Sequence, residues 1–260
     1  MFISLAELEY WVAALLLPLF RVGSFFMAVP IIGTQMVPVR VRLGLALAVT
    51  FLLVPVLPEM PLYDPLSLNT WLVILHQILI GALMGFALQF LFQSFIAGAQ
   101  LIAMQSGLGF ASMTDPSTGV QVVVVAQMYS MMAILLFLAM NGHLVMMEVM
   151  ARSFFALPVG MGGFDEGVLM RVVLSVSWLF AAALLMALPA ITALLIINLA
   201  FGVMTKAAPQ LNVFAIGFPF TMLMGLIMHW IYLPTFYDHY IRTTHYVLDF
   251  LQSMLPPISG

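Results

Sequence analysis

The sequence predicts an all-α integral membrane protein built from long, kinked apolar helices and helical hairpins. Of its 260 residues, 64% are hydrophobic and 7% are charged, whereas soluble domains carry roughly a quarter charged residues. A soluble fold of this length could not bury so much apolar surface, because a large share of any small fold faces water. Four windows contain no Asp, Glu, Lys or Arg: residues 65–114, 116–147, 172–205 and 207–237. Each exceeds the ~20 residues that a helix needs to cross a bilayer.

The apolar runs and the turn residues between them divide one membrane-embedded domain, residues 1–260, into six helical segments. In chain order these segments cover residues 10–32, 43–58, 71–106, 121–147, 172–201 and 213–235. Residues 236–260 follow as a short C-terminal tail, which we expect to be solvated. The N-terminus carries Glu7 and Glu9 where a signal peptide would be basic, so we expect the first segment to remain in the mature protein.

Segment three is too long for a simple span. Its 36 residues would extend ~54 Å as a helix, against a hydrocarbon core of ~30 Å. Prolines also interrupt the apolar runs, at Pro18, Pro30, Pro55, Pro189, Pro219 and Pro234. Such breaks are tolerated at membrane depth where protein or a water-filled cavity surrounds the backbone, so we expect many segments to contact other protein. Gly81 and Gly85 form a GxxxG pattern, which predicts close packing of two helix backbones.

The stretch between segments three and four is the most informative loop. Residues 107–119 are rich in Gly, Ser and Thr and contain a single charge. The backbone of this loop cannot lie in lipid, where its peptide groups would be unsatisfied, and its apolar side chains disfavour bulk water. A re-entrant or pore-lining segment satisfies both conditions. The residues that we expect to form it are Gly107, Leu108, Gly109, Phe110, Ala111, Ser112, Met113, Asp115 and Pro116.

The connection between segments five and six predicts a tight turn. Pro209 should end the preceding helix near Ala208, and the polar side chains that follow are placed to satisfy the backbone groups that the turn frees. The alternative is a mobile loop held at its two ends. The residues assigned to this motif are Lys206, Pro209, Gln210, Asn212, Gly217 and Pro219.

No set of residues in the sequence indicates catalysis. Ser106, Ser112 and His143 are the residue types of an intramembrane serine protease, but no GxSxG elbow accompanies them, and His143 follows Asn-Gly, a helix-end or kink sequence. Asp115 lacks a second aspartate with which an aspartyl protease would share a proton. Cysteine is absent and the histidines are scattered. We therefore expect no enzyme activity, no cofactor and no metal, and the lack of a basic stripe argues against nucleic acid.

Several motifs resemble the FliR family of flagellar export-gate proteins, within the FliR/SctT superfamily. They occur in matching order from about residue 10 to about residue 235. The motifs are RVRLGLA at 40–46, QILIGALMGF at 77–86, GLGFA at 107–111 followed by Asp115-Pro116, FLAMNGH at 137–143, ALPA at 187–190 and APQLNVFAIGFP at 208–219. Gly109 departs from the pattern, since some relatives carry Ser at this position.

The resemblance implies a pore-forming structural subunit of the flagellar type III protein export gate. Such a subunit takes part in protein transport of unfolded flagellar substrates across the bacterial inner membrane and in flagellum biogenesis, within the basal body. The implied partners are FliP-like and FliQ-like subunits, FlhB-like and FlhA-like proteins, the substrates in transit and membrane lipid. A plug loop closes the pore in this family, and it maps onto residues 107–119. The alternative function is a small secondary transporter with broken helices, although the sequence shows neither paired mid-membrane charges nor an internal repeat.

Overall fold

A computed structural model describes residues 5–33, 37–58, 60–61, 67–109, 123–160, 166–208 and 213–255 of the chain. The α-helices in these ranges are α1 Leu5–Ala28, α2 Val39–Leu53, α3 Leu68–Gln105, α4 Val124–Ala139, α5 Gly142–Ala156, α6 Glu166–Ala207, α7 Val213–Tyr232 and α8 Phe236–Met254. A 3-10 turn, Leu233–Thr235, connects α7 to α8. The described ranges contain no strand, and the predicted all-α class is confirmed.

Three helical runs are long and apolar enough to cross a membrane, judged by length and composition: Leu68–Gln105, Gly167–Ala207 and Ile216–Met254. Helices α4 and α5 add a fourth if they form one broken span, since the pair is bent by 70°. The bend lies at Asn141, whose φ of 57° is left-handed, and it coincides with the kink that the sequence predicts before His143. These features confirm a multi-helix membrane protein with long, kinked helices.

The helices differ from the sequence-derived segments mainly at their ends. Helix α1 ends at Ala28, two residues before Pro30, and α2 begins directly after Pro38. Proline fits the start of a helix, because its missing N–H needs no partner there, but it disrupts the interior. Helix α6 nevertheless continues for 42 residues through Pro189. The surrounding packing must compensate for the backbone hydrogen bond that this proline removes.

Most of the segment assigned to the tail is helical. Its buried side chains, which repeat at helical spacing along α8, are Phe236, Tyr240, Thr243, Val247, Leu251 and Met254. The intervening positions are largely polar, and they include Asp238, Arg242 and Asp249. A helix with one apolar and one polar face forms because burial of the apolar face stabilises it. A search for uncharged windows does not detect this pattern, because the polar face interrupts each window.

Two compact units make up the chain. The first contains residues 1–90, 137–175 and 246–260, and the second contains residues 91–136 and 176–245. Helices α3, α4, α6 and α8 contribute residues to both. Large side chains such as Phe25, Phe26 and Met84 are buried in the first unit. In the second unit small α6 residues, including Ala187 and Ala190, form a buried cluster with Ile102 and Leu194.

Apolar side chains remain exposed along two helices of the isolated chain. In α2 the buried residues are Ala46 and Thr50, whereas Phe51 and Leu52 are each 73% exposed. One face of α6 exposes leucines at intervals of four or seven residues: Leu184, Leu188, Leu195 and Leu199. Soluble monomers rarely expose contiguous apolar patches of this size. Lipid or other protein must therefore cover these faces.

Candidate functional site: a loop anchor and two buried polar clusters

A buried arginine lies at the centre of the first unit. Arg21 is fully buried, and its Nε donates to Gln77 Oε1 at 2.8 Å. Its Nη1 donates to the carbonyl oxygen of Ser153 at 2.8 Å, and its Nη2 donates to that of Leu157 at 2.7 Å. The ring of Phe154 lies 4.2 Å from the guanidinium carbon, a cation–π distance. No carboxylate in the described part of the chain pairs with Arg21, so neutral oxygens and an aromatic face hold the charge.

One face of α3 is shaped to receive α1. Its members recur every four residues and so lie on the same side of the helix: Gln77, Gly81, Gly85 and Gln89. A side-chain carbon at Gly81 would overlap the Arg21 carbonyl oxygen, and one at Gly85 would lie 2.6 Å from Ala28 Cβ. Gln89 Nε2 donates to the Ala28 carbonyl oxygen at 2.7 Å. The two glycines therefore allow the close approach, and the two glutamines bond to α1 at either end of it.

In the second unit, a histidine and a tyrosine share a buried hydrogen bond. His229 Nδ1 lies 3.2 Å from the Tyr129 hydroxyl, and both side chains are buried. Phe236 packs edge-on against Tyr129, with ring centroids 5.4 Å apart. His229 Nε2 has no hydrogen-bond partner among the residues that the structure describes. The hydrogen bond thus joins α4 to α7, and it leaves one ring nitrogen of His229 without a partner in the described residues.

The end of α3 and the first residue of the predicted loop 107–119 contact α6 and α7. Gly107 has a φ of 82°, a left-handed conformation that glycine adopts without strain. A side-chain carbon at this position would lie 2.9 Å from the Phe218 ring. Asn198 Nδ2 donates a long hydrogen bond, 3.4 Å, to the Gln105 carbonyl oxygen at the end of α3. The chain therefore turns out of α3 at Gly107, beside Asn198 of α6 and Phe218 of α7.

Comparison with known proteins identifies the family. Residues 12–246 match the family described as bacterial export proteins, family 1. The chain belongs to this family. It is 36% identical to the flagellar biosynthetic protein FliR of Escherichia coli (strain K12), over 98% of this chain and 97% of that protein. It is 34% identical to FliR of Pectobacterium carotovorum subsp. carotovorum, over 98% and 97%, and 31% identical to FliR of Aquifex aeolicus (strain VF5), over 96% and 98%. The predicted resemblance to FliR is confirmed.

Many of the residues assigned to this export protein's loop and turn lie outside the described ranges. They are Phe110, Ala111, Ser112, Met113, Asp115 and Pro116 in the loop, and Pro209, Gln210 and Asn212 in the turn. Lys206 lies in the last turn of α6, and Gly217 and Pro219 lie within α7. Where the structure describes the chain, no group of three or more His, Asp or Glu side chains could hold a metal ion.

Sequence reasoning assigned no role to the two polar clusters. The sequence did contain an indication of the Arg21 cluster, because an ionisable residue in an apolar helix needs a partner inside the protein. Gln77 also begins the four-residue repeat that contains Gly81 and Gly85. The second cluster joins residues that are 100 positions apart, so no local pattern marked Tyr129 or His229.

Proposed function

We propose that this chain is a pore-forming structural subunit of the flagellar protein export gate in the bacterial inner membrane. The match to FliR along nearly the whole chain carries the proposal. The exposed apolar faces of α2 and α6 support it, because a membrane subunit that assembles with other proteins needs surfaces that lipid and partners can cover. In this role the chain is not a catalyst. It forms part of a conduit for unfolded flagellar proteins at the basal body.

The partners that fit this role are FliP-like and FliQ-like subunits, with FlhB-like and FlhA-like proteins next to the gate. Helix α2 is the strongest candidate for a partner contact. Val39, Phe51 and Leu52 are all more than 60% exposed, and they occupy different sides of this helix. From Leu43 to Leu53 this helix carries no charged residue, and an apolar helix surface needs cover by protein or lipid. Its contact with α1 leaves that cover incomplete.

Residues 107–119 form the barrier of the pore in this proposal. The anchoring of the loop's first residues supports this role, since a barrier across a pore must be attached to the wall of that pore. Gly107 provides the turn, and Asn198 and Phe218 hold its base. Leu108, Phe110 and Met113 provide an apolar seal against water and ions, and Asp115-Pro116 sets the turn at the wetter edge.

Deletion of residues 107–113, in cells that lack their own FliR, tests both the export-gate role of the chain and the barrier role of the loop. The deleted chain should still copurify with the FliP-like and FliQ-like subunits. A dye that reports membrane potential should show a leak of small ions, and growth should slow, because the seal is gone. The matched control is Arg152→Gln, which changes an exposed residue on α5 and should cause no leak.

Two results would contradict the proposal at different levels. An assembled deletion complex with unchanged ion conductance would contradict the barrier role of the loop. If the wild-type chain neither copurified with the two subunits nor restored secretion of flagellar proteins, the export-gate role itself would fail.

A further inference from the structure

A cavity of about 330 Å³ opens in the second unit beside α8. This volume lies at the small end of the range for ligand pockets in proteins. Ile102, Tyr129 and Phe236 line it and are buried, so they form its floor. The exposed lining residues differ in character: α6 contributes apolar Leu185 and Pro189, whereas α8 contributes charged side chains. The cavity is therefore amphipathic, with an apolar side and a charged side.

Two opposite charges stand unpaired on the charged side. Asp238 and Arg242 are four residues apart on α8 and both line the cavity. Within the described ranges, neither of them forms an ion pair with another residue. His239, between them in sequence, lies edge-on to Phe95 with ring centroids 5.7 Å apart, which holds this wall in place. The charged side thus offers one cationic and one anionic group to an occupant.

The apolar side leads onto a surface suited to a hydrocarbon chain. Leu185 is 67% exposed, and Leu188, a member of the exposed leucine face of α6, is 46% exposed. Helix α8 is amphipathic, with Phe236 and Tyr240 buried and Asp238 and Arg242 exposed. Because charged side chains are costly in the bilayer core, Asp238 and Arg242 favour a position at the level of the phospholipid headgroups.

We propose that this cavity binds a phospholipid with a zwitterionic phosphoethanolamine headgroup. The Arg242 guanidinium donates to the phosphate oxygens, a pairing that its planar geometry favours. The lipid ammonium donates to the Asp238 carboxylate. The first part of an acyl chain packs against Leu185 and Pro189 and leaves along α6. One small ligand thereby satisfies both charges and covers the apolar edge, and the site does not depend on the export role of the chain.

Lipid retention by the full-length protein, extracted with its associated subunits, tests the site. The protein is exchanged into bilayer nanodiscs that contain equal amounts of phosphatidylethanolamine and phosphatidylglycerol, extracted again, and analysed for retained lipid by native mass spectrometry. The wild type should retain phosphatidylethanolamine several-fold over phosphatidylglycerol. Arg242→Gln should lower that retention roughly tenfold, the scale of a charge-assisted hydrogen bond. Asp238→Asn should remove the preference between the two lipids, because the ammonium loses its acceptor.

The control is again Arg152→Gln, whose exposed ion pair with Glu148 lies outside the cavity and whose lipid retention should match the wild type. Asp238 and Arg242 are both exposed, so their substitution should leave the elution volume of the complex unchanged. Equal retention of the two lipids by the wild type would overturn the proposal. Unchanged retention in both the Arg242→Gln and the Asp238→Asn variants would also overturn it. That result is expected if a side chain of a neighbouring subunit fills the cavity.

Discussion

The Arg21 cluster of the first unit and the Tyr129–His229 pair of the second bury polar groups in different ways. Arg21 donates to the backbone carbonyls of Ser153 and Leu157, at 2.8 and 2.7 Å. The Tyr129–His229 contact is a single hydrogen bond between two side chains, at 3.2 Å, and one histidine nitrogen remains without a partner in the described residues.

This difference decides how each site responds to substitution. If Arg21 is removed, the carbonyl oxygens stay buried, because no side-chain substitution can take away a backbone acceptor. If Tyr129 and His229 are both replaced by apolar residues, no polar group is left behind. Loss of one partner of a buried hydrogen bond costs more than replacement of both. The arginine is therefore the less replaceable element, although each cluster joins helices that are distant in the chain.

Arg21→Met should have the largest effect. It leaves the Leu157 carbonyl oxygen and the Gln77 side-chain oxygen buried without this donor, whereas the Ser153 carbonyl keeps the Leu157 N–H at 2.9 Å. At about 1–3 kcal/mol for each unsatisfied group, we expect a loss of about 2–6 kcal/mol in stability. The measurement is the thermal unfolding midpoint of the protein purified with its partners. Arg152→Gln, at an exposed ion pair, should change stability by less than about 1 kcal/mol. Equal midpoints for the two variants would show that the Arg21 cluster is not a stability element.

Gly81→Ala should have an intermediate effect within the same unit. The added carbon overlaps the Arg21 carbonyl oxygen, so α1 must move away from α3, at a cost of about 1–3 kcal/mol. Gly23→Ala is the matched control, because nothing lies within 4 Å of the added carbon there. In a helix this control should gain up to ~1 kcal/mol. Unfolding midpoints that rise for both variants would contradict a close α1–α3 contact.

Tyr129→Phe should have the smallest effect. It keeps the ring contact with Phe236 but leaves His229 Nδ1 without its partner, and we expect a loss of about 1–2 kcal/mol. Adding His229→Leu should recover part of this loss, since the second change removes the unpaired group. A double-mutant cycle on unfolding midpoints measures the coupling, which is about 0.5–3 kcal/mol for residues in contact. Strictly additive single effects would show that the hydrogen bond contributes nothing.

Much of the architecture was readable from local pattern. The uncharged windows predicted the long apolar helices, and the Asn-Gly sequence before His143 predicted the kink, because each depends on neighbouring residues alone. Gly81 and Gly85 likewise identified a face of α3 able to accept another helix. Helix α8 was harder to predict, because polar residues separate its buried positions. Only the packing shows that these positions share one face.

The sequence by itself determined the helical class and the membrane character, and its motifs indicated the family. Composition and spacing suffice for the first two, because they record how the backbone satisfies its hydrogen bonds and which surface avoids water. The tertiary structure decided which groups meet. Arg21 finds its partners 56, 132 and 136 residues away, and α6 and α8 supply the two sides of the amphipathic cavity. Contacts over such distances depend on how helices pack, which no local pattern encodes.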